Sequence, residues 1–269
     1  MLRLKKILLR TALVFAVLIF LVCTSLYFFQ EKMIFFPTKL EANHTFKFNG
    51  NFEEIFITTK DQTKLNALLF KADSSKGVIF YLHGNGGCLE SVGAIADKYT
   101  SMNYDLFLLD YRGYGKSEGT IFSEEQFYSD VQESYDYVKS RYAENQIAIL
   151  GYSIGTGPAA MLASVNNPKL LILQAPYYSL MDMSHQRYPF APEFLLKYKF
   201  ETCKFIKDCK APIVIFHGND DKVIDYHASL ELKKLLKTDD KLIIMEGRGH
   251  GGFTESPVYL SKLSELLNN

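Results

Sequence analysis

The stretch ILGYSIGTG, residues 149–157, places a serine between two glycines directly after an apolar run. Gly151 and Gly155 lie two residues to either side of Ser153, which gives the pattern G-x-S-x-G. Glycines at these positions let the backbone pass close to its neighbours in a tight, strained turn. The small-residue stretch that follows, IGTGPAAMLASV, is typical of a helix. A strand, a sharp turn and a helix in this order predict a nucleophilic serine at the end of a strand.

The rest of the chain alternates between strand and helix patterns. FEEIFITT and LNALLFKA alternate apolar and polar residues and predict antiparallel strands with one buried face. Nearly continuous apolar runs predict parallel strands buried on both faces: GVIFYLHG, YDLFLLDY, QIAILGYS, LLILQAP, APIVIFHG and KLIIMEG. Helical patterns lie between them, and Ser123 is an N-cap candidate for one of them. The alternation predicts an α/β fold with a mostly parallel sheet and helices on both faces.

A serine hydroxyl is a weak nucleophile until a base accepts its proton. We predict that His250 is this base, because EGRGHGGF after the last strand pattern leaves its imidazole free to reach the serine. The acid that orients the base is expected in FHGNDDKVIDYH, beyond another strand pattern. Asp221 is preferred there to Asp220, and Asp225 is interpreted as the N-cap of the next helix. The predicted catalytic residues therefore follow one another along the chain as Ser153, acid and histidine.

The oxyanion of an acyl-transfer reaction needs backbone N–H donors. Ile154, directly after the serine and at a helix N-terminus, is predicted to supply one of them. Asn85, in the glycine-rich segment YLHGNGG, is predicted to supply the other. A different segment, DYRGYGKSEG, is similar to the end of a phosphate-binding loop, but Asp110 stands where that loop requires its first glycine. The segment therefore predicts no nucleotide site.

Residues 1–30 differ in composition from the rest of the chain. An uncharged apolar stretch from Thr11 to Phe29 approaches the roughly 20 residues that span a bilayer as a helix. Basic residues precede it: Arg3, Lys5, Lys6 and Arg10. They predict a single-pass membrane protein with a cytoplasmic N-terminus and its catalytic domain on the non-cytoplasmic side. Cleavage as a signal peptide near Cys23–Ser25 is the alternative, and a retained anchor is preferred because apolar residues follow that site.

The domain organisation follows from these patterns. Residues 1–30 form a leader and anchor, residues 31–50 a juxtamembrane segment along the membrane or the domain surface, and residues 51–269 the catalytic domain. An aromatic-rich insertion, residues 177–210, interrupts the alternation and is predicted to be cap-like and to cover a pocket. An ordinary connecting helix with a packed surface is the alternative. Within it, Cys203 and Cys209 flank a short helical pattern, and an exported domain permits a disulfide between them. Unpaired cysteines are preferred, because nothing in the sequence requires the bond.

Composition restricts the partners. The chain is 48% hydrophobic and 22% charged, which fits a globular protein with a sizeable core. Its formal net charge is zero, so electrostatics gives no reason to expect a nucleic acid. The sequence shows no Cys/His cluster with zinc spacing, and the predicted chemistry needs no metal or organic cofactor. The oligomeric state is not predicted.

The chain resembles membrane-anchored α/β-hydrolase-domain proteins, whose members include serine esterases and protein depalmitoylases. The resemblance covers nearly the whole chain and rests on these segments: FFQEKMIFFPT, YLHGNGG, DYRGYGKSEG, GYSIGTGPA, YPFAPEFLLKYKF, HGNDDKVID and GRGHGGF. It implies an α/β-hydrolase fold, with the acid of an H-G-x-x-D pattern at Asp221 and the histidine of a G-x-G-H pattern at His250. It also implies a serine hydrolase that cleaves ester or thioester bonds of acyl or lipid-like substrates. An aminopeptidase-type peptidase and a catalytically silent, membrane-tethered binding protein are the alternatives, since a fold does not determine a function.

Overall fold

The computed structural model describes residues 2–189 and 192–268. Met1 of the predicted leader, Phe190 and Ala191 of the predicted insertion, and Asn269 lie outside the described residues. The described residues form these strands: β1 (Phe36–Pro37), β2 (Asn51–Thr58), β3 (Lys64–Lys71), β4 (Val78–Leu82), β5 (Gly86–Gly87), β6 (Asp105–Leu109), β7 (Ile147–Tyr152), β8 (Leu170–Gln174), β9 (Ile213–Gly218) and β10 (Lys241–Met245). They also form these α-helices: α1 (Leu2–Phe29), α2 (Glu31–Ile34), α3 (Leu89–Val92), α4 (Ala96–Thr100), α5 (Glu124–Lys139), α6 (Thr156–Val165), α7 (Leu180–Arg187), α8 (Thr202–Asp208), α9 (His227–Lys233) and α10 (Pro257–Asn268).

Eight strands form one sheet in the order β2-β3-β6-β4-β7-β8-β9-β10. β3 pairs antiparallel with β2 and β6, and all the other neighbours pair parallel. The apolar runs become strands that are almost entirely buried, as expected where a sheet is covered on both faces. The predicted α/β fold with its mostly parallel sheet is confirmed.

Helices cover both faces of the sheet and bury an apolar layer on each. On one face Phe127 of α5 and Leu162 of α6 pack against the strands. On the other face Tyr99 of α4 packs with Tyr259 and Leu263 of α10. Burying apolar surface contributes about 25 cal/mol per Å², so these two layers are the main source of stability.

The N-terminal ends of two helices test the predicted caps. The Ser123 side chain accepts a hydrogen bond from the backbone N–H of Gln126 at 3.1 Å, so Ser123 caps α5 as predicted. Asp225 was predicted to cap α9, but Tyr226 is the N-cap residue of that helix. The Asp225 carboxylate instead accepts a hydrogen bond from the N–H of His227 at 2.9 Å, because the helix begins one residue later than predicted.

The long helix α1 contains a 27-residue stretch, Arg3–Phe29, that is long and apolar enough to cross a membrane. Its side chains are exposed along this stretch rather than packed in the domain core. Gln30, directly after it, is only 6% exposed and ties the helix to the domain. The Gln30 side chain donates to the backbone oxygen of Leu195 at 3.0 Å and accepts the N–H of Lys197 at 2.8 Å.

Residues 31–50 pack into the domain rather than merely lying along it. Phe35 and Phe46 are both buried in its apolar layers. The two-residue strand β1 pairs parallel with β5, which lies directly after Asn85. The segment that follows α1 is therefore part of the structure around the predicted oxyanion loop.

The insertion, residues 177–210, contains α7 and α8. Its cysteines are unpaired: Cys203 is half-buried within α8, and Cys209 is buried at the end of that helix. Burial raises the pKa of the Cys209 thiol to about 11. The preferred prediction of unpaired cysteines therefore agrees with the structure.

Candidate active site

Ser153 lies at the turn between β7 and α6, where the backbone is strained. Its φ is +53°, in the left-handed region that residues other than glycine rarely adopt. A Cβ on Gly155 would lie 2.2 Å from the carbonyl oxygen of Leu82, and one on Gly151 would lie 2.4 Å from the carbonyl oxygen of Gly155. Both flanking positions therefore require glycine, because the backbone of β4 and the turn itself occupy the space of a side chain.

The structure brings Ser153, His250 and Asp221 together from three separate loops. His250 Nε2 lies 2.9 Å from Ser153 Oγ, and His250 Nδ1 lies 2.7 Å from Asp221 Oδ2. A carboxylate only accepts hydrogen bonds, so Nδ1 carries the proton and Nε2 is free to accept one from the serine. This is the geometry that a general base needs in order to activate a hydroxyl nucleophile.

Asp221 is held in place by four hydrogen bonds. Its Oδ1 accepts the backbone N–H groups of Val223 at 2.8 Å and Ile224 at 2.9 Å, and its Oδ2 accepts from His250 and, at 3.2 Å, from His217 Nε2. Burial opposes ionisation of this carboxyl and has the largest single effect. The hydrogen bonds from the two histidines and the two amides outweigh it together and hold the pKa of Asp221 well below its usual value.

His217 was not predicted to take part in this site. It is fully buried at the end of β9, and its Nδ1 lies 2.6 Å from the hydroxyl of Ser229. Its Nε2 faces only acceptors, Asp221 Oδ2 and the carbonyl oxygen of Ile224 at 3.0 Å, so this nitrogen carries the proton. A histidine at a strand end is a weak sequence signal, because its partner depends on how the next loop folds back.

The remaining candidate acids lie elsewhere. Asp220 points to solvent, with a side chain that is 61% exposed and paired with Lys222 at 2.6 Å. Asp225 is bonded to His227, both through the backbone and through the ring at 2.6 Å. Of the three acidic residues in this loop, Asp221 alone contacts His250 among the described hydrogen bonds.

The loop that contains Asn85 is fixed mainly through its carbonyl groups. Tyr111 and Tyr114 donate their hydroxyl groups to the backbone oxygens of His83 and Asn85, both at 2.7 Å. The backbone N–H of Phe36 also donates to the Asn85 oxygen at 2.8 Å. Within residues 2–189 and 192–268, the Asn85 N–H itself has no backbone acceptor, and the same is true of the N–H of Ile154 beside the serine. Neither amide N–H is therefore committed to a backbone partner in the described part of the chain.

The segment that contains both tyrosines is DYRGYGKSEG, which was set aside as a false phosphate loop. Its Asp110 is buried, accepts the N–H of Leu89 at 3.0 Å and lies 3.5 Å from His83 Nε2. Burial raises the pKa of Asp110. A Cβ on Gly115, whose φ is +48°, would lie 1.9 Å from the Asp110 carboxylate. Gly115 thus makes room for a buried carboxyl, and the tyrosines of the segment support the Asn85 loop.

A cavity of about 380 Å³ lies next to Ser153 and His250. The loop at residues 84–86, the region of Val92 and Ile95, and the stretch from Gly252 to Thr254 line it. The predicted cap, residues 177–210, contributes no lining residue to it among the described residues. The insertion packs against the end of α1 through Gln30.

Comparisons with known proteins agree with this architecture. A family profile described as "Serine aminopeptidase, S33" matches residues 73–204. The alpha/beta hydrolase domain-containing protein 17C of Mus musculus is 27% identical over 224 residues, which cover 81% of this chain and 68% of that protein. The alpha/beta hydrolase domain-containing protein 17B of Xenopus laevis is 28% identical over 222 residues, covering 80% of this chain and 75% of that protein.

Solved structures show the same fold. The Pyrococcus furiosus esterase Pf2001 superimposes with a TM-score of 0.68 at 18% identity and covers 87% of this chain and 98% of its own. Est1E from Butyrivibrio proteoclasticus superimposes with a TM-score of 0.64 at 18% identity and covers 80% of this chain and 99% of its own. The fold is that of an α/β hydrolase. The sequence and fold matches together place the chain in the α/β-hydrolase superfamily, in agreement with the resemblance seen in its motifs.

Proposed function

We propose that this protein is a serine hydrolase that cleaves carboxylic ester or thioester bonds. The observation that carries the proposal is the chain of hydrogen bonds from Ser153 Oγ through His250 to Asp221, at 2.9 and 2.7 Å, with the serine on a strained turn. Strain at one residue of a turn between a strand and a helix costs free energy, and such strain is concentrated at functional sites.

The reaction has two steps. Ser153 Oγ attacks the acyl carbonyl carbon while His250 Nε2 accepts its proton, and the backbone N–H groups of Asn85 and Ile154 donate to the oxyanion. The tetrahedral intermediate collapses to an acyl-enzyme, and His250 delivers the proton to the departing alcohol or thiol. In the second step water attacks the acyl carbonyl carbon while His250 Nε2 accepts its proton. The bond from the acyl carbon to Ser153 Oγ then breaks, the carboxylic acid leaves, and His250 returns the proton to Ser153 Oγ. Asp221 holds the Nδ1 proton of His250 and stabilises the imidazolium.

The cavity favours an ester or thioester over a peptide with a free amino terminus. An aminopeptidase needs a negatively charged group to hold the substrate's ammonium, and no Asp or Glu is among the described residues that line the cavity. The family profile, by contrast, carries the description of a serine aminopeptidase. Peptidase activity is therefore the second candidate function, and hydrolysis of an aminoacyl p-nitroanilide tests it directly.

Anchoring in a membrane by α1 is part of the proposal. The long apolar helix supports it, and the basic residues before the apolar stretch favour a cytoplasmic N-terminus. The packing of Gln30 against the insertion favours a retained helix over a cleaved one, since the end of α1 is integrated into the domain. Protease protection of the catalytic domain in sealed vesicles, with a tag at each end of the chain, tests this orientation.

Labelling by a fluorophosphonate probe tests the catalytic proposal. The wild-type protein is expected to be labelled and Ser153→Ala is not. Ser91→Ala is the matched control, because Ser91 lines the same cavity but its Oγ is bonded to the backbone of Cys88. A folded wild-type protein that resists the probe would refute the activated serine and favour the silent binding protein instead.

A further inference from the structure

Three polar side chains line the cavity beside Ser153 from one face of the sheet. Tyr81 is in β4, Tyr152 ends β7 and Gln174 ends β8. Tyr152 lies opposite Gln174 in the strand register, and Tyr81 lies opposite Leu150, two residues before Tyr152. Side chains alternate between the two faces of a strand, so all three point to the same face. We call Tyr81, Tyr152 and Gln174 the polar wall.

The polar wall carries atoms that have no partner in the part of the chain that the structure describes. The hydroxyl groups of Tyr81 and Tyr152 and the carbonyl oxygen of Gln174 take part in none of its hydrogen bonds. None of these three atoms is completely enclosed by protein, so each faces the cavity. Tyr81 and Gln174 are otherwise only 5% and 2% exposed, and polar groups buried to this extent are almost always paired. A ligand in the cavity can supply the missing partners.

The amide of Gln174 is fixed from its other end. Its nitrogen donates to the hydroxyl of Tyr259, and that hydroxyl lies 3.4 Å from the hydroxyl of Tyr99. Both tyrosines are fully buried between α4 and α10. The amide nitrogen is therefore occupied inside the protein, and the carbonyl oxygen is left as an acceptor at the cavity.

The polar wall borders the catalytic residues. Tyr152 directly precedes Ser153, and its ring centroid lies 5.4 Å from that of His250. A Cβ on Gly251 would lie 3.2 Å from the Tyr152 hydroxyl, and a Cβ on Gly84 would lie 3.2 Å from its ring. The Tyr152 side chain thus lies between the oxyanion loop and the histidine loop. A substrate group that contacts its hydroxyl is adjacent to the reacting atoms.

The charges around the cavity restrict what the polar wall can bind. No Asp, Glu, Lys or Arg is among its described lining residues, so an ammonium or a carboxylate would be buried there without an opposite charge. Burial raises the pKa of the Tyr81 and Tyr152 hydroxyls, which therefore stay protonated at neutral pH. A substrate hydroxyl is neutral, donates to the Gln174 oxygen and exchanges hydrogen bonds with the phenols. A hydrocarbon group would leave all three polar atoms unpaired.

We propose that the polar wall selects substrates that carry a neutral hydroxyl group close to the ester or thioester bond. This rests on the proposed function and names its substrate class: small hydroxylated esters, with the hydroxyl on the leaving alcohol or on the acyl group. Tyr81, Tyr152 and Gln174 are then the residues that determine specificity. Each hydrogen bond between the polar wall and the substrate should raise kcat/KM about fivefold.

Two pairs of esters test the proposal with the full-length protein in detergent, followed by the release of acid. Glycerol monobutyrate and propyl butyrate differ in hydroxyls on the alcohol, and ethyl β-hydroxybutyrate and ethyl butyrate differ in a hydroxyl on the acyl group. The hydroxylated ester should have the higher kcat/KM in at least one pair, and that pair assigns the hydroxyl to the alcohol or the acyl group. Hydrolysis without this preference in either pair would overturn the polar wall and leave the proposed function standing.

Tyr81→Phe and Tyr152→Phe remove the two hydroxyls without breaking a described hydrogen bond within the protein. Each should lower the ratio of kcat/KM for the hydroxylated and the plain ester about fivefold, and the shared detergent cancels in this comparison. Tyr104→Phe is the matched control and should keep the wild-type ratio. Tyr104 is buried in the same apolar layer, but its hydroxyl donates to the backbone oxygen of Leu267 at 2.6 Å. An unchanged ratio in the Tyr81→Phe, Tyr152→Phe double variant would overturn the proposal.

A binding measurement separates recognition from catalysis. Saturation-transfer-difference NMR gives the dissociation constants of the four esters for Ser153→Ala. The hydroxylated ester should bind more tightly in at least one pair, and the preference should disappear when Tyr81 and Tyr152 are also replaced by phenylalanine. Equal dissociation constants within both pairs would overturn the polar wall. A preference that depends on both tyrosines, in a protein whose wild type hydrolyses none of the esters, would refute the proposed function but retain the polar wall as a binding site.

Discussion

Replacing Asp221 by asparagine keeps the shape of the side chain but introduces a donor that has no acceptor. In one orientation the new NH₂ faces His250 and His217, which both donate to Oδ2 of the wild-type carboxylate at 2.7 and 3.2 Å. In the other it faces the backbone N–H groups of Val223 and Ile224, which donate to Oδ1 at 2.8 and 2.9 Å. Either orientation places donor against donor in a buried site.

The imidazole of His250 can relieve one of these clashes only by changing its tautomer. If Nδ1 gives up its proton to accept from the amide, Nε2 becomes protonated and can no longer act as a base for Ser153. In another Ser-His-Asp enzyme this substitution lowers kcat by about 10⁴-fold, or about 5 kcal/mol of transition-state stabilisation. We expect a loss of that order here. An unsatisfied buried donor should also lower the free energy of unfolding by about 1–3 kcal/mol.

The assay compares Asp221→Asn with Asp220→Asn, measuring kcat/KM for p-nitrophenyl acetate and the rate of fluorophosphonate labelling. Asp220 is the matched control, because it is the exposed neighbour in the same loop and pairs only with Lys222. Its substitution should leave both rates within about twofold, since exposed ion pairs contribute little. If kcat/KM of the Asp221→Asn variant stays within tenfold of the wild-type value, the argument from the His250 tautomer is refuted.

The lowered pKa of Asp221 also predicts how the stability of the protein depends on pH. The folded structure holds the pKa of Asp221 below its unfolded value of about 3.9, so the carboxylate stabilises the fold above that pH. This contribution is lost as pH falls below about 4 towards the folded pKa. Wild type should therefore have a higher Tm than Asp221→Asn at pH 7, and the difference should shrink below pH 4. A Tm difference that stays constant from pH 7 to pH 3 would contradict the assigned hydrogen bonds.

Other substitutions test the turn, the oxyanion loop and the cysteines. Gly155→Ala should lower the free energy of unfolding by about 1–3 kcal/mol in urea titrations, because its Cβ would lie 2.2 Å from the Leu82 oxygen. Asn85→Ala should lower kcat less than tenfold, because the proposed donor is its backbone N–H; a loss of a hundredfold or more would assign that role to the side chain. Cys209 should resist iodoacetamide at pH 8 until the protein is denatured, as followed by mass spectrometry, because burial raises its pKa to about 11 and a thiol reacts as its thiolate.

Much of this architecture could be predicted because the decisive signals are local. The apolar runs identify the buried strands, and the glycines at 151 and 155 flank the serine in a short local pattern that marks a tight turn. Parallel strands place the loops after them at one edge of the sheet. That is why Ser153, Asp221 and His250, far apart in sequence, could be expected to meet.

The parts that could not be predicted depend on contacts between distant segments. Tyr111 and Tyr114 support the Asn85 loop through their hydroxyl groups, and nothing in their own neighbourhood distinguishes them from core tyrosines. Strand β1 is two residues long, too short for a periodic pattern. The polar contacts of the insertion with Gln30, which place it beside the end of α1, join segments that are more than 160 residues apart.

The pairing of β1 with β5 determines how a cut in the chain would affect the loop that contains Asn85. A protease that cut between Lys39 and Asn51 would leave every residue of the eight-stranded sheet in one fragment. It would leave β1 attached only to α1 and α2, so that its pairing beside Asn85 would depend on two non-covalently associated pieces. Cleavage near Cys23–Ser25, by contrast, would release the domain with β1 still attached. Whether a fragment that lacks α1 keeps β1 covalently attached beside Asn85 therefore depends on which side of β1 the cut falls.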